Sequence, residues 1–167
     1  MIELRTPISD EVIKSVNVGD MVYISGYIFC GRDAALPKVV KMTQNETDTG
    51  LTADMNGGVI FHTAVSLAGV GPTSSNKLEI ESSIEPLSKA GIKLHLGKGA
   101  LHKETIRALD ENNAVYAVIP PVTALLGDKT IEQKLVAFPE LGMEAFYRLK
   151  VERYPAIIAV AHGRSIY

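Results

Sequence analysis

Three short segments of this chain combine glycine with hydroxyl or cationic side chains: Gly31-Arg32-Asp33, Gly71-Pro72-Thr73-Ser74-Ser75-Asn76-Lys77 and Gly97-Lys98-Gly99. Glycine lets backbone N–H groups come close to a ligand. An arginine fork makes paired hydrogen bonds to a carboxylate or phosphate, and a lysine adds a compact charge. Such a set suits an anion with several oxygens, and a small dicarboxylate or a phosphate fits it equally well. Each segment also has a plainer reading. Arg32 and Asp33 can form a local ion pair and helix cap, and Thr73-Ser74-Ser75 after proline can be a capping turn. Gly97-Lys98-Gly99 can be a tight turn with a solvated lysine. It is not a Walker loop, because the full spacing and the hydroxyl after lysine are missing.

Other chemistry-bearing residue types are sparse. The single cysteine, Cys30, closes no internal disulfide. It also falls short of the roughly three or four thiolates that hold an iron–sulfur cluster, so it reads as a small buried hydrophobe. His62, His95, His102 and His162 show no i, i+4 pairing and no carboxylate at metal-site spacing. No metal site is expected within this chain, and His62, just after an apolar run, reads as a core histidine.

The elements that must position these residues alternate between two periods. Met21–Phe29 is rich in β-branched and aromatic residues and reads as a strand ending at Cys30-Gly31-Arg32-Asp33. A helix is expected from about Pro37, since proline suits the first helical turn. Gly58–Phe61 is a short buried strand. Ser82 with Glu85 has the spacing of a capping box, and Gly91 sits where a helix C′ residue belongs. Ile92–Leu96 reads as a strand, His102–Asn112 as a helix and Ala114–Ile119 as an apolar strand. Strand, helix and strand at this spacing form a crossover unit, so the two strands should be parallel. Ala145–Val151 and Ala156–Val160 read as two further strands. The expected class is α/β with a mixed sheet, in one domain over residues 1–167. Ligands of such sheets bind beyond the carboxyl ends of the strands, where all three glycine-bearing segments should lie.

The 167 residues are 46% apolar and 22% charged, with a net charge of −2. A balance so near zero gives no footprint for nucleic acid or a membrane surface. No apolar run reaches the roughly 18 residues of a membrane span. The start, Met1-Ile2-Glu3-Leu4-Arg5, lacks the basic and apolar parts of a signal peptide, so a cytoplasmic location is expected.

Taken in order, these segments resemble the C-terminal domain, or separate β subunit, of the class I iron–sulfur fumarases and L-tartrate dehydratases. Gly19-Asp20-Met21-Val22-Tyr23-Ile24-Ser25-Gly26, then Arg32-Asp33-Ala34-Ala35, resembles the family's GD-x-V-x-x-x-G…RDAAH stretch. Gly71-Pro72-Thr73-Ser74-Ser75 is similar to its GPTT/S turn and Gly97-Lys98-Gly99 to its GKGG/M loop. Glu140-Leu141-Gly142-Met143-Glu144-Ala145, then Val151-Glu152 and Pro155, resembles its ELGMEA…VE-x-x-P ending. The chain departs from the pattern at Leu36 (histidine in the family), Lys77 (arginine) and Ala64-Val65 (glycine–proline). Further departures are Pro120-Pro121 (Gly-Gly) and Ala161 or His162 (aspartate).

The resemblance implies a swivelling β/β/α domain whose central sheet is parallel. It implies reversible hydration of fumarate to L-malate, or dehydration of L-tartrate or another hydroxy acid. It also implies a partner: an α subunit whose [4Fe–4S] cluster binds the substrate, in a hetero-oligomer. In that scheme Arg32, Ser74 and Lys77 bind a small dicarboxylate, Lys98 stabilises the aci-carboxylate, and Thr73 stands at the proton-transfer position. A threonine is a poor base unaided, so a neighbour must activate it. A non-catalytic relative that has lost part of the site is the alternative raised by Leu36 and Lys77.

Overall fold

The computed structural model describes residues 2–45, 54–66, 69–73, 77–119 and 129–167. Its strands are β1 (Ile2–Arg5), β2 (Met21–Cys30), β3 (Val59–Phe61), β4 (Thr63–Ser66), β5 (Gly69–Thr73), β6 (Leu94–Gly97), β7 (Val115–Val118), β8 (Thr130–Ala137), β9 (Phe146–Ala161) and β10 (Arg164–Ser165). The helices are α1 (Asp10–Ser15), α2 (Leu36–Asn45), α3 (Lys77–Lys89) and α4 (Lys103–Glu111), with a 3₁₀ segment at Pro139–Glu144.

Strands β2, β3, β6 and β7 lie side by side and parallel, and β1 runs parallel to the first half of β2. Antiparallel β9 then joins both ends of that row. Ile157 is the hinge point of the closure, pairing with Met21 of β2 on one edge and Val118 of β7 on the other. The result is a ring, β2-β3-β6-β7-β9, in which alternate residues point in and out. Val22, Ile24, Ile28, Val59, Phe61, Leu94, Leu96, Val115, Ala117 and Leu149 fill the inside. Phe29, Ile60 and Phe146 face out beneath α2 and α3, and Tyr116, Ala159 and Val160 face out beneath Ile84 and Leu109 of α3 and α4. Ile24, Ile28, Phe61 and Leu96 are each 0% exposed. Burying one such side chain is worth about 1.5–3 kcal/mol, so the ring interior is the main hold on the sheet.

The α/β class and the mixed sheet with a parallel central part are as expected, and so is the parallel pairing of the strands on either side of α4. Three local expectations change. Ser82 and Glu85 do not cap a helix, because α3 already begins at Lys77; Glu85 instead pairs with Lys89 one turn on, at 3.0 Å. The other end of α3 is as expected: Gly91 follows it, and the Ile92 N–H donates back to Leu87 O at 3.1 Å. That bond absorbs Ile92, so β6 starts at Leu94.

The two late strands are one strand of 16 residues, Phe146–Ala161. Pro155 does not break it: Arg153 has a φ of 54° and the ladder shifts register between Ile24 and Gly26. This bulge bends the strand, so its first half takes β8 and its second half takes β7 as neighbour. Finally, Gly71, Pro72 and Thr73 belong to strand β5 rather than to a loop. They pair with β4 in a hairpin outside the ring.

Candidate functional site at the carboxyl edge of the parallel strands

Because β2, β3, β6 and β7 are parallel, their carboxyl ends line one edge. Backbone hydrogen bonds continue the ladder past the strand ends. The Gly31 N–H donates to Phe61 O at 3.1 Å, the His62 N–H to Leu96 O at 3.0 Å and the Ile119 N–H to Gly97 O at 3.4 Å. Arg32, Thr63 and Lys98 are the residues next in line on three adjacent strands. At about 4.8 Å per strand, the Arg32 and Lys98 backbones stand roughly 10 Å apart. Their long side chains can close on a small anion across that gap.

Thr73 joins the same edge through its backbone. The β4–β5 hairpin starts from Thr63, and Thr73 is its direct partner in the ladder. Lys77, first residue of α3, follows four positions later, and Ser74 lies outside the described residues. Thus Arg32, Thr63, Thr73 and Lys98, separated by up to 66 positions, are brought to one edge by topology.

Arg32 has a carboxylate beside it from a distant part of the chain. Its side chain, 29% exposed, sets Nε 3.5 Å from Glu144 Oε2. Glu144 ends the 3₁₀ segment, which packs beside β4. The chain reverses there because Gly142 takes φ 60° and ψ −123°, a conformation costly for any side chain. Glycine in Glu140-Leu141-Gly142-Met143-Glu144 therefore has a job: it returns Glu144 towards Arg32. Nothing local in the sequence around Glu144 points to this contact, because Arg32 lies 112 positions away.

Lys98 is exposed, and the turn beneath it is tightly packed. Gly97 faces the Tyr116 ring; an added Cβ would lie 2.9 Å from the phenol oxygen. That hydroxyl donates to Gly99 O at 3.3 Å, so one buried tyrosine supports both glycines around Lys98.

Glu81 of α3 fixes the start of α4, whose N-cap His102 makes no side-chain cap of its own. One carboxylate oxygen accepts from the His102 N–H and the Thr105 hydroxyl, each at 2.7 Å, and the other contacts His102 Nδ1 at 2.6 Å. Burial alone would raise the Glu81 pKa, but these bonds outweigh it and hold it below the usual value.

His62 and His95 are both fully buried, on the outer face of β3 and β6 beneath α3. His62 Nε2 lies 3.4 Å from His95 Nδ1, and His95 Nε2 lies 2.9 Å from Ser88 Oγ. Burial, with His62 alongside, pushes the His95 pKa well down. His62 is thus the core histidine expected, but with a histidine partner 33 positions away. The available signal was a polar residue inside two apolar runs, Ile60-Phe61-His62 and Leu94-His95-Leu96.

Cys30 points into the ring and is fully buried, and burial raises its thiol pKa. It does not fit as a cluster ligand. Among the described residues no three His, Cys, Asp or Glu side chains are grouped to hold a metal ion. Among them also, no helix is long and apolar enough to cross a membrane.

A family model described as Fumarase C-terminus matches residues 1–167. The L(+)-tartrate dehydratase subunit beta of Escherichia coli strain K12 is 27% identical over 176 residues, covering 98% of this chain and 85% of the relative. A Methanocaldococcus jannaschii protein provisionally named L(+)-tartrate dehydratase subunit beta is 30% identical over 170 residues, covering 93% and 85%. A Geobacillus stearothermophilus protein provisionally named fumarate hydratase class I is 29% identical over 180 residues. That match takes in 100% of this chain but 34% of the relative, so the chain spans about a third of that longer protein.

Proposed function

Since this chain belongs to the fumarase C-terminus family, we propose that it is the β subunit of a hydro-lyase acting on a small dicarboxylate, with fumarate and L-malate as the reacting pair. The observation that carries this reading is the row of residues along one carboxyl edge: Arg32 and Lys98, with the Thr63–Thr73 pair between them. Arg32, whose Nε lies 3.5 Å from Glu144 Oε2, presents a planar guanidinium suited to one substrate carboxylate. Lys98 supplies positive charge where the aci-carboxylate develops once the proton beside it leaves. That interaction strengthens in the transition state and so raises kcat. Thr73 stands at the proton-transfer position on the strength of the family turn alone, with Ser74 and Lys77 as further substrate contacts.

The [4Fe–4S] cluster belongs, on this reading, to an α subunit, and would supply Lewis-acid binding of the substrate's hydroxyl. Cys30, turned into the ring, is not placed to ligate it. L-tartrate dehydration is the second reading. It is favoured by the matches to proteins named as separate beta subunits, each covered over 85% of its length.

The test is kinetics of the assembled α–β enzyme on fumarate, L-malate and L-tartrate. Arg32→Lys keeps the charge but loses the planar fork. A lost charge-assisted bond is worth about 1.5–3 kcal/mol, so kcat/KM should fall about ten- to a hundredfold. Lys98→Ala should fall further, mainly in kcat, with the thermal midpoint nearly unchanged. Wild-type kinetics in both variants would refute the site.

A further inference from the structure

Strand β8 lies outside the closed ring, and among the described residues β9 is the strand that pairs with it, along one edge. Residues 131–135 are all exposed, Ile131 at 54% and Leu135 at 39%. A strand bare on both faces at the side of a sheet is a template for a further strand. The ladder to β9 shifts register between Thr130 and Glu132 and again between Leu135 and Ala137, so residues 132–135 form its regular part. Side chains alternate along it. Glu132 and Lys134 share a face with their β9 partners Lys150 and Arg148, while Ile131, Gln133 and Leu135 take the other.

Two features of that pattern favour a particular neighbour. Lys134 stands directly opposite Arg148, a like-charge pair that costs stability by itself. Arg148 leans towards β2, its guanidinium 4.5 Å from the centre of the Tyr27 ring, so the open side of β8 is where a carboxylate would balance Lys134. The strand is also complementary to its own reverse. Laid antiparallel against a second copy about a two-fold axis at Gln133, Glu132 of each copy meets Lys134 of the other on one face. Ile131 of each copy meets Leu135 of the other on the opposite face. Moving the axis by one residue sets Glu132 against Glu132, or Lys134 against Lys134. Charge therefore selects one register.

We propose that β8 is a self-pairing edge: two copies of this chain join antiparallel along β8, centred on Gln133, into one continuous sheet. On the charged face the row across the two copies reads Arg148, Lys134, Glu132, Lys150, so each Lys134 gains a carboxylate beside it. On the other face two Ile131–Leu135 pairs leave the water. The contact spans five residues a side, well under the area of a permanent interface. The dimer is accordingly weak, with a dissociation constant in roughly the micromolar to millimolar range. This holds whatever reaction the chain serves.

Sedimentation equilibrium of the full chain, up to about 1 mM, tests this against the range given. The wild type should show a monomer–dimer equilibrium. Glu132→Lys and Lys134→Glu each make both charge pairs repulsive, so each variant alone should dimerise at least about tenfold more weakly. An equimolar mixture of the two variants should recover the wild-type affinity, because every lysine then faces a glutamate. Contact through another part of the surface gives no such recovery. Thermal midpoints of both variants should stay within a few degrees of the wild type, since the substituted side chains are exposed. A chain that stays monomeric throughout, or variants that dimerise like the wild type, would overturn the proposal. So would a mixture no tighter than either variant alone. If the edge instead takes a strand of the α subunit, Glu132→Lys weakens α–β assembly while the chain alone stays monomeric, and self-pairing is refuted.

Discussion

Gly97→Ala tests how the turn under Lys98 is built. The new Cβ would meet the Tyr116 hydroxyl oxygen at 2.9 Å, Cε2 at 3.1 Å and Cζ at 3.4 Å. Tyr116 is 0% exposed and its ring is boxed between sheet and helices, so it has little room to yield. Overpacking of this kind costs about 1–3 kcal/mol. At about 2–4 °C per kcal/mol for a chain of this size, the thermal midpoint should fall by about 2–12 °C. Tyr116→Phe by itself removes the bond to Gly99 O and should cost about 1 kcal/mol. Combining the two takes away the nearest clashing atom while leaving the two ring carbons. The double variant should therefore be more stable than the two single losses added together, by about 0.5 kcal/mol or more. Urea and thermal unfolding of the wild type and three variants give the cycle. Strict additivity, or an unchanged midpoint in Gly97→Ala, would refute the packing account.

Two further outcomes follow from the same geometry. Glu144→Gln removes the charge beside Arg32 Nε, so the assembled enzyme should lose severalfold in kcat/KM with Tm nearly unchanged; equal kinetics would show that Arg32 needs no such support. His95 has a depressed pKa in the folded chain, flanked by His62, Tyr116 and Ser88. The unfolded chain then binds the extra proton first. Stability should be complete above about pH 6.5 and fall below it, by at most about 1.4 kcal/mol per pH unit for this one group. Urea midpoints from pH 7.5 to 5 should show a flatter acid limb in His95→Gln than in the wild type. An acid limb of the same slope in both would show that another group carries it.

The parallel core was legible because its strands are short apolar runs punctuated by glycine and spaced by helix-length segments. Those signals are local, and they placed Val59–Phe61, Val115–Val118 and the helix between β6 and β7 within a residue or two. Ring closure was not legible. It depends on Ile157 facing both Met21, more than a hundred positions away, and Val118, 39 positions away, and on a bulge at Arg153 that lets a proline sit inside a long strand. Strand β8 was missed because its side chains face solvent on both sides of an edge and give no burial alternation. At the site, Arg32 and Lys98 were visible as cations after strands. Glu144 and His95 were not, since each matters through a partner far away in sequence, 112 positions in the case of Glu144 and Arg32.

The ring closed by β9 also bears on how the chain comes to be folded. Until residues near Ile157 have been made, β2 and β7 each keep an open edge of unpaired N–H and C=O groups. The interior side chains of four parallel strands meanwhile have no fifth wall to seal them from water. Parallel neighbours separated by long crossovers form slowly in any case. A ribosome-bound chain stopped short of β9 is thus a sticky, half-lined cup rather than a smaller stable protein. The carboxyl edge that would bind substrate takes its shape only when the last long strand snaps into place.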